Sequence, residues 1–197
     1  MGNRAVITTR DKQLGVYLHW NGGRNSVEAF LLYCKLKGFR SPETDCYGWA
    51  RLCQVIGNFF GDGLSVGIDR YDRLDTDNGD NGVYIIENWQ IVGKELELLD
   101  ALEIEQVKDM LASINLSMPL SEQLDINDLY KAADGLLTQP ITSKQIKAIH
   151  AVVNDLGFAD SRYRQILDSL FDTTSCKELS EKQASILIET LNKLKED

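Results

Sequence analysis

GVYLHWNGGRNSVEAFLLYCKLKG, residues 15–38, changes its hydrophobic period midway, and that change decides the fold. Its first part, Gly15-Val16-Tyr17-Leu18-His19-Trp20, is rich in β-branched and aromatic residues and reads as a strand. Asn21-Gly22-Gly23 is a strong turn signal. Either Asn25 or Ser26 then predicts an N-cap, after which Val27, Phe30, Leu31, Cys34 and Leu36 fall on one helical stripe that Gly38 stops. A strand feeding directly into an amphipathic helix makes the first half a mixed domain.

Working outward, Ala5-Val6-Ile7-Thr8 predicts a strand before this unit. After Ser41-Pro42, a second helix runs through Trp49, Leu52, Val55, Ile56 and Phe59 and ends near Gly61. Leu64–Ile68 and Gly82–Ile86 read as strands, separated by an aspartate-rich loop from Asp69 to Asn81. Glu87-Asn88 then turns the chain into a short last strand, Trp89–Val92. The expected fold is α+β: residues 1–94 form two helices against a small, mainly antiparallel sheet.

From Glu95 the period becomes helical, with Leu96, Leu99, Leu102, Val107, Leu111 and Ile114 at three- and four-residue spacing until Met118-Pro119. A second helix starts with Asp125 as its cap, and Gln139-Pro140 marks a boundary. Residues 95–140 thus read as an acidic helical connector, free-standing or packed on the first domain. Residues 141–197 predict three helices. Thr142-Ser143-Lys144-Gln145 and Ser180-Glu181-Lys182-Gln183 are two capping boxes. Gly157 ends the first helix, and Asp160 is read as the cap of the middle one.

The 197 residues carry a net charge of −9, unevenly spread. Residues 1–60 sum to +4, residues 61–94 to −4, residues 95–140 to −8 and residues 141–197 to −1. Such a balance argues against bulk nucleic-acid binding and leaves open both a local basic face and an acidic surface that competes for a basic groove on another protein. No apolar run approaches the roughly 20 residues of a membrane span. The N-terminus, MGNRAVITTRDK, lacks the features of a secretory leader or a myristoylation site. The expectation is a chain mature as written, in the cytoplasm. Cys34, Cys46, Cys53 and Cys176 form no CxxC pair and read as reduced, buried thiols; neither histidine lies at zinc-ligand spacing from them.

Several stretches invite chemistry. The Gly22-Gly23-Arg24 turn at a helix start offers amides and a guanidinium to an anion, or is a plain tight turn. In the loop bearing Asp69, Asp72, Asp75, Asp77 and Asp80, the EF-hand template fails: from Asp75 the sixth position is Asp80, and from Asp77 the twelfth is Asn88. A solvated turn fits better; a weak cation site and an acidic contact patch of Asp75, Asp77 and Asp80 are the alternatives. Glu97, Glu103 and Glu105 give the connector a negative face suited to a partner's basic groove. Lys144, Lys147, Arg162 and Arg164, with Arg24, are the candidate nucleic-acid contacts. His19 and His150 read as structural. No catalytic signature, metal set or cofactor motif is present, so no enzyme and no cofactor are expected.

ITSKQIKAIHAVVNDLGFADSRYRQIL followed by TSCKELSEKQASILIETL, within residues 141–192, resembles the C-terminal region of the GemA family of regulatory proteins from Mu-like phages. That resemblance implies a mobile-element origin and a small helical module that touches DNA-handling machinery. The first half, with GNRAVITT, LGVYLHWNGGRNSVEAFL, YGWARLCQVIGNFFG and DNGDNGVYIIENW, resembles a module of Firmicutes phages and mobile elements. Small acidic proteins of such elements include anti-CRISPR inhibitors. The expectation is an accessory protein that binds a host nucleic-acid-handling protein or CRISPR effector nuclease. The alternative is a DNA-binding regulator acting through its C-terminal helices, and an enzyme on nucleotides built at the Gly-Gly-Arg turn is the third class.

Overall fold

The computed structural model describes all residues except 1, 64, 98, 138–140, 172 and 197. Leu64 and the Gln139-Pro140 boundary therefore lie outside the described residues. The chain divides into two units, Met1–Ala133 and Asp134–Asp197.

The first unit is built on a five-stranded sheet: β1 (Ala5–Thr9), β2 (Leu14–Leu18), β3 (Val66–Arg70), β4 (Val83–Glu87) and β5 (Gln90–Glu95). Their order is β3-β2-β1-β4-β5, antiparallel throughout except for the parallel pair β1–β4. This is the mixed α+β class that the sequence predicts. β1 is buried along its whole length, as a central strand covered on both faces must be. The register sets Ala5, Ile7, Val16, Leu18 and Tyr84 on one face, and Val6, Thr8, Gly15, Tyr17 and Val83 on the other.

Helices α1 (Arg24–Leu36) and α2 (Cys46–Phe60) pack against each other. α1 buries Val27, Phe30, Leu31 and Cys34. Its N-cap is Gly23, without a side-chain cap, and not Asn25 or Ser26. The reason is the entry path: a Cβ on Gly22 would stand 2.7 Å from the backbone of Arg4 and Ala5, so the close crossing fixes where the helix starts. Asn25 is freed for other work, accepting from the Glu103 amide at 3.0 Å and donating to Gln106 at 3.0 Å. At the other end Gly38, at φ 66°, closes the helix, with Gly38 N–H on the Lys35 carbonyl and Phe39 N–H on that of Cys34. Asp45 caps α2 by accepting from the Tyr47 amide.

Two expectations move. The last hairpin turns at Asn88 and Trp89, both left-handed at φ 51° and 59°, so Trp89 belongs to the turn and not to the strand. Its ring compensates for the strained backbone: it is buried, and its indole N–H donates to the Phe39 carbonyl at 2.8 Å. The acidic segment also starts differently. β5 continues to Glu95 because it pairs with Val83, Leu96 then turns at φ 72°, and α3 begins only at Ile104 and ends at Ser117. Leu96 and Leu99 are exposed, outside the helix.

α3 lies on α1 and α2 with Val107, Leu111 and Ile114 fully buried. Asn115 ties these layers: its carbonyl oxygen accepts from Tyr33 Oη (3.2 Å) and Leu124 N–H (2.8 Å). Burial pushes the Tyr33 phenol up to about 12. α4 (Ile126–Leu137) starts behind Asp125, whose carboxylate accepts from the Asn127 amide at 2.8 Å.

The second unit holds α5 (Ser143–Asp155), α6 (Asp160–Phe171) and α7 (Glu181–Glu196) around Ile149, Tyr163, Leu167, Leu179, Leu187 and Leu191. Both capping boxes form. Thr142 Oγ1 accepts from Gln145 N–H at 3.2 Å while Gln145 Oε1 accepts from Thr142 N–H at 3.0 Å, and Ser180 and Gln183 repeat this at 3.2 and 2.9 Å. Gln145 also donates to the Glu181 carbonyl at 2.8 Å, which ties the two helix starts together. Asp160 is the first helical residue, not the cap; the carbonyl of Ala159 takes the first helical bonds. Among the described residues no helix is long and apolar enough to cross a membrane.

Candidate functional site

The aspartate-rich loop is organised by an amide. Asn78 is buried. Its Nδ2 donates to the carbonyls of Asp75, Thr76 and Gly82 at 3.2–3.4 Å, and its Oδ1 accepts from the amides of Asp80, Asn81 and Gly82 at 3.2 Å. One neutral side chain thus satisfies the turning backbone that a bound cation serves in an EF-hand. Among the described residues no group of three His, Cys, Asp or Glu is placed to hold a metal ion.

The aspartates consequently differ in role. Asp80 faces inward and accepts from both the Arg4 amide (3.0 Å) and Arg4 Nε (2.6 Å). Those bonds hold its carboxyl below the usual carboxylate range and raise Arg4 in turn. Asp75 and Asp77 are exposed. Beside Asp75 lies an open recess of about 340 Å³ lined by Tyr17, Gly67, Asp69, Arg73 and Leu74. Tyr17 and Gly67 are register partners, so strand alternation puts them, with Asp69, on the same sheet face. Leu74 closes over that face at Gly15, where an added Cβ would meet its Cδ1 at 2.7 Å.

The other acids sit elsewhere. Glu97 is exposed ahead of α3. Glu103 occupies the N-cap position of α3 and accepts from Gln106 at 2.6 Å, and Glu105 in its first turn pairs with Lys108 at 3.0 Å. Carboxylates there suit the positive end of the helix dipole, so part of their placement is local stabilisation. Asp75 and Asp77 flank the sheet, whereas Glu103 and Glu105 begin a helix layered outside α1. They form two acidic sets.

Arg24 is not open to an anion. Its side chain is largely buried, its Nη1 donates to the Asp100 carbonyl, and its Nε lies 3.6 Å from Glu28 without a hydrogen bond of its own. Of the glycines before it, Gly22 serves the close crossing at Ala5 and Gly23 is the N-cap of α1. Tyr84 lies within electrostatic reach of Arg24 and Glu28, under the cation of Lys94 at 5.1 Å, and burial drives its phenol upward.

In the second unit Lys144 and Lys147 are exposed on α5. Arg162 stacks on the Phe158 ring at 4.5 Å, and Arg164 is bound by Asp160 at 2.7 Å. Of the four basic contacts predicted in this unit, one is therefore neutralised by a neighbour and one is held against a ring. His150 Nε2 lies 3.9 Å from the Cys176 thiol, with Tyr163 beside it. The thiol is buried and, among the described residues, no carboxylate orients the imidazole, so the pair lacks two requirements of a nucleophile and base. All four cysteines are free; Cys34 and Cys176 are buried, but Cys46, against expectation, is exposed at the start of α2. His19 is exposed and stacks edge-on against Trp20.

The chain matches no family model, no curated protein and no solved structure. The residues that sequence reading missed are Asn78, Tyr17 and Gly67, and Asp69, read as part of the loop, stands on β3. A glycine inside a strand pattern is a signal of close approach or open space, and Gly67 carries it. Nothing in DTDNGDNG distinguishes the asparagine that turns inward.

Proposed function

We propose that this chain is a mobile-element accessory protein that acts by binding, as an inhibitor of a host nucleic-acid-handling or defence nuclease of the RNA-guided CRISPR type. One observation carries the reading: exposed carboxylates (Asp75, Asp77, Glu103, Glu105) stand on elements whose shape is fixed by buried neutral contacts, Asn78 in the loop and Val107 and Leu111 under α3, with Glu97 exposed on the segment leading into that helix. Pre-shaped negative surface is what competes for a basic nucleic-acid channel, because little conformational entropy is lost on docking. The resemblance of the first half to mobile-element modules supports the same class. The test is capture from nuclease-treated host lysate, followed by co-elution and cleavage assays. Glu97, Glu103 and Glu105 to Gln together should weaken capture well beyond the loss of about 1 kcal/mol of stability that charges at a helix start contribute, with the fold intact by circular dichroism.

A second reading, a DNA-binding regulator acting through the helices of residues 141–197, rests on the exposed Lys144 and Lys147 and on the GemA-like sequence. It requires the chain alone to shift duplex DNA, with affinity falling as salt rises. Under this reading the same glutamate changes leave binding intact or tighter.

A further inference from the structure

We propose that the outer edge of β3 docks an extended basic segment of a partner protein, one of whose long cationic side chains enters the recess over Gly67. The inference rests on the binding reading above and assigns the contact. β3 ends the sheet order, so its outward backbone groups pair with no strand among the described residues. Gly67 to Arg70 are exposed. Such an edge accepts a further strand through main-chain hydrogen bonds, with specificity supplied by pockets for alternate side chains. Asp69 and Arg70 guard it against indiscriminate pairing, as charges do on natural edges.

The recess supplies the pocket. Gly67 and Asp69 point to the face bearing Tyr17, and a Cβ on Gly67 would meet nothing within 4 Å. A side chain leaning in from an added strand passes over that glycine, lays its aliphatic stem on Tyr17 and Leu74, and brings its charge to Asp69 and Asp75. The nearby cations are committed or loosely held: Arg4 is bound by Asp80 at 2.6 Å, whereas Arg73 approaches Asp69 only to 3.8 Å with both side chains well exposed. A partner's guanidinium can displace Arg73, since an exposed pair of that length contributes little. Tyr17 adds an aromatic surface that favours a cation.

The test uses the full chain and a fluorescent peptide of roughly ten residues alternating Arg and Thr, long enough to pair with all of β3. Binding is read by anisotropy at moderate salt. Gly67→Val puts a branched side chain into the recess, suits a strand and has its Cβ clear of every atom within 4 Å, so its melting temperature should hold while peptide affinity falls roughly tenfold, the scale of one lost charge-assisted contact. Asp75→Asn, on the exposed rim, should lose a similar factor. Arg73→Ala should tighten binding more than Arg70→Ala, because Arg70 lies on the opposite face against Asp72. N-methylating alternate peptide amides, at unchanged charge, should abolish binding. Unchanged affinity in Gly67→Val, or equal binding of the methylated peptide, overturns the proposal. Nuclease capture is scored on the same variants. If capture persists through Gly67→Val, the docking assignment falls and the inhibitor reading stands; if the peptide results hold but no nuclease is captured, the inhibitor reading alone falls.

Discussion

Replacing Asn78 by alanine tests whether a buried amide, and not a cation or the carboxylates, shapes the acidic loop. The side chain serves three carbonyls and three amides, all at 3.2–3.4 Å, long enough that each bond is weak. Its two N–H groups shared among three carbonyls amount to about two good bonds, and the three amides to one or two more. At about 1 kcal/mol net each, and with the buried Gly82 N–H left without its acceptor while its carbonyl keeps the Val6 amide, the loss is about 3 kcal/mol. For a domain of this size that lowers the melting temperature of the first unit by roughly 6–12 °C. Asn78→Asp keeps the acceptor but sets a carboxylate oxygen against the Gly82 carbonyl, so it should do no better at neutral pH. Asp75→Asn and Asp77→Asn, both exposed, should leave the melt unchanged, and added calcium should not raise it. Differential scanning calorimetry of these four variants, with and without calcium, decides the matter. An Asn78→Ala melt within about 1 °C of the parent, or a calcium-dependent rise lost with Asp75, would refute the reasoning.

Other outcomes follow from the same contacts. Thr142→Ala and Ser180→Ala each remove one half of a capping box and should cost about 1 kcal/mol in the urea unfolding of the second unit. Arg4 holds the Asp80 carboxyl below its unfolded value, so the stabilisation is complete above the unfolded carboxylate range near about 4 and is lost as pH falls through the lower folded value. Asp80→Asn should therefore melt below the parent at pH 7 and converge with it in acid, as thermal melts across pH will show. Burial pushes the Cys34 thiol upward while Cys46 is exposed, so an aromatic disulfide reagent should label Cys46 first and Cys34 only on unfolding, checked by peptide mass.

Local chemistry was legible in the sequence wherever it was self-contained. The two capping boxes, Asp125 as a cap and the glycines closing α1 and α5 depend only on residues within a few positions, and they form as the sequence predicts. What the sequence hid depends on distant partners. The leucine period from Leu96 looks helical, yet pairing with Val83 extends the strand to Glu95 and the backbone turns at Leu96. The parallel contact of β1 with β4 joins segments far apart in the chain, which no local period encodes. Asn25 resembles a cap but is recruited by Glu103 and Gln106 once α3 lies beside it. The exposed acids of the candidate site were visible from composition; the recess they border was not, because it exists only when β2, β3 and the loop converge.

The proposed inhibitor acts by occupancy in place of turnover, and stoichiometry tests that directly. The full chain is titrated into a guide-loaded CRISPR effector nuclease at fixed concentration, with residual cleavage and co-elution read on the same samples. Cleavage should fall linearly to its floor at equimolar chain, which elutes with the nuclease at unchanged mass. Loss of cleavage at a small fraction of equimolar chain, or full cleavage with no co-elution, contradicts it.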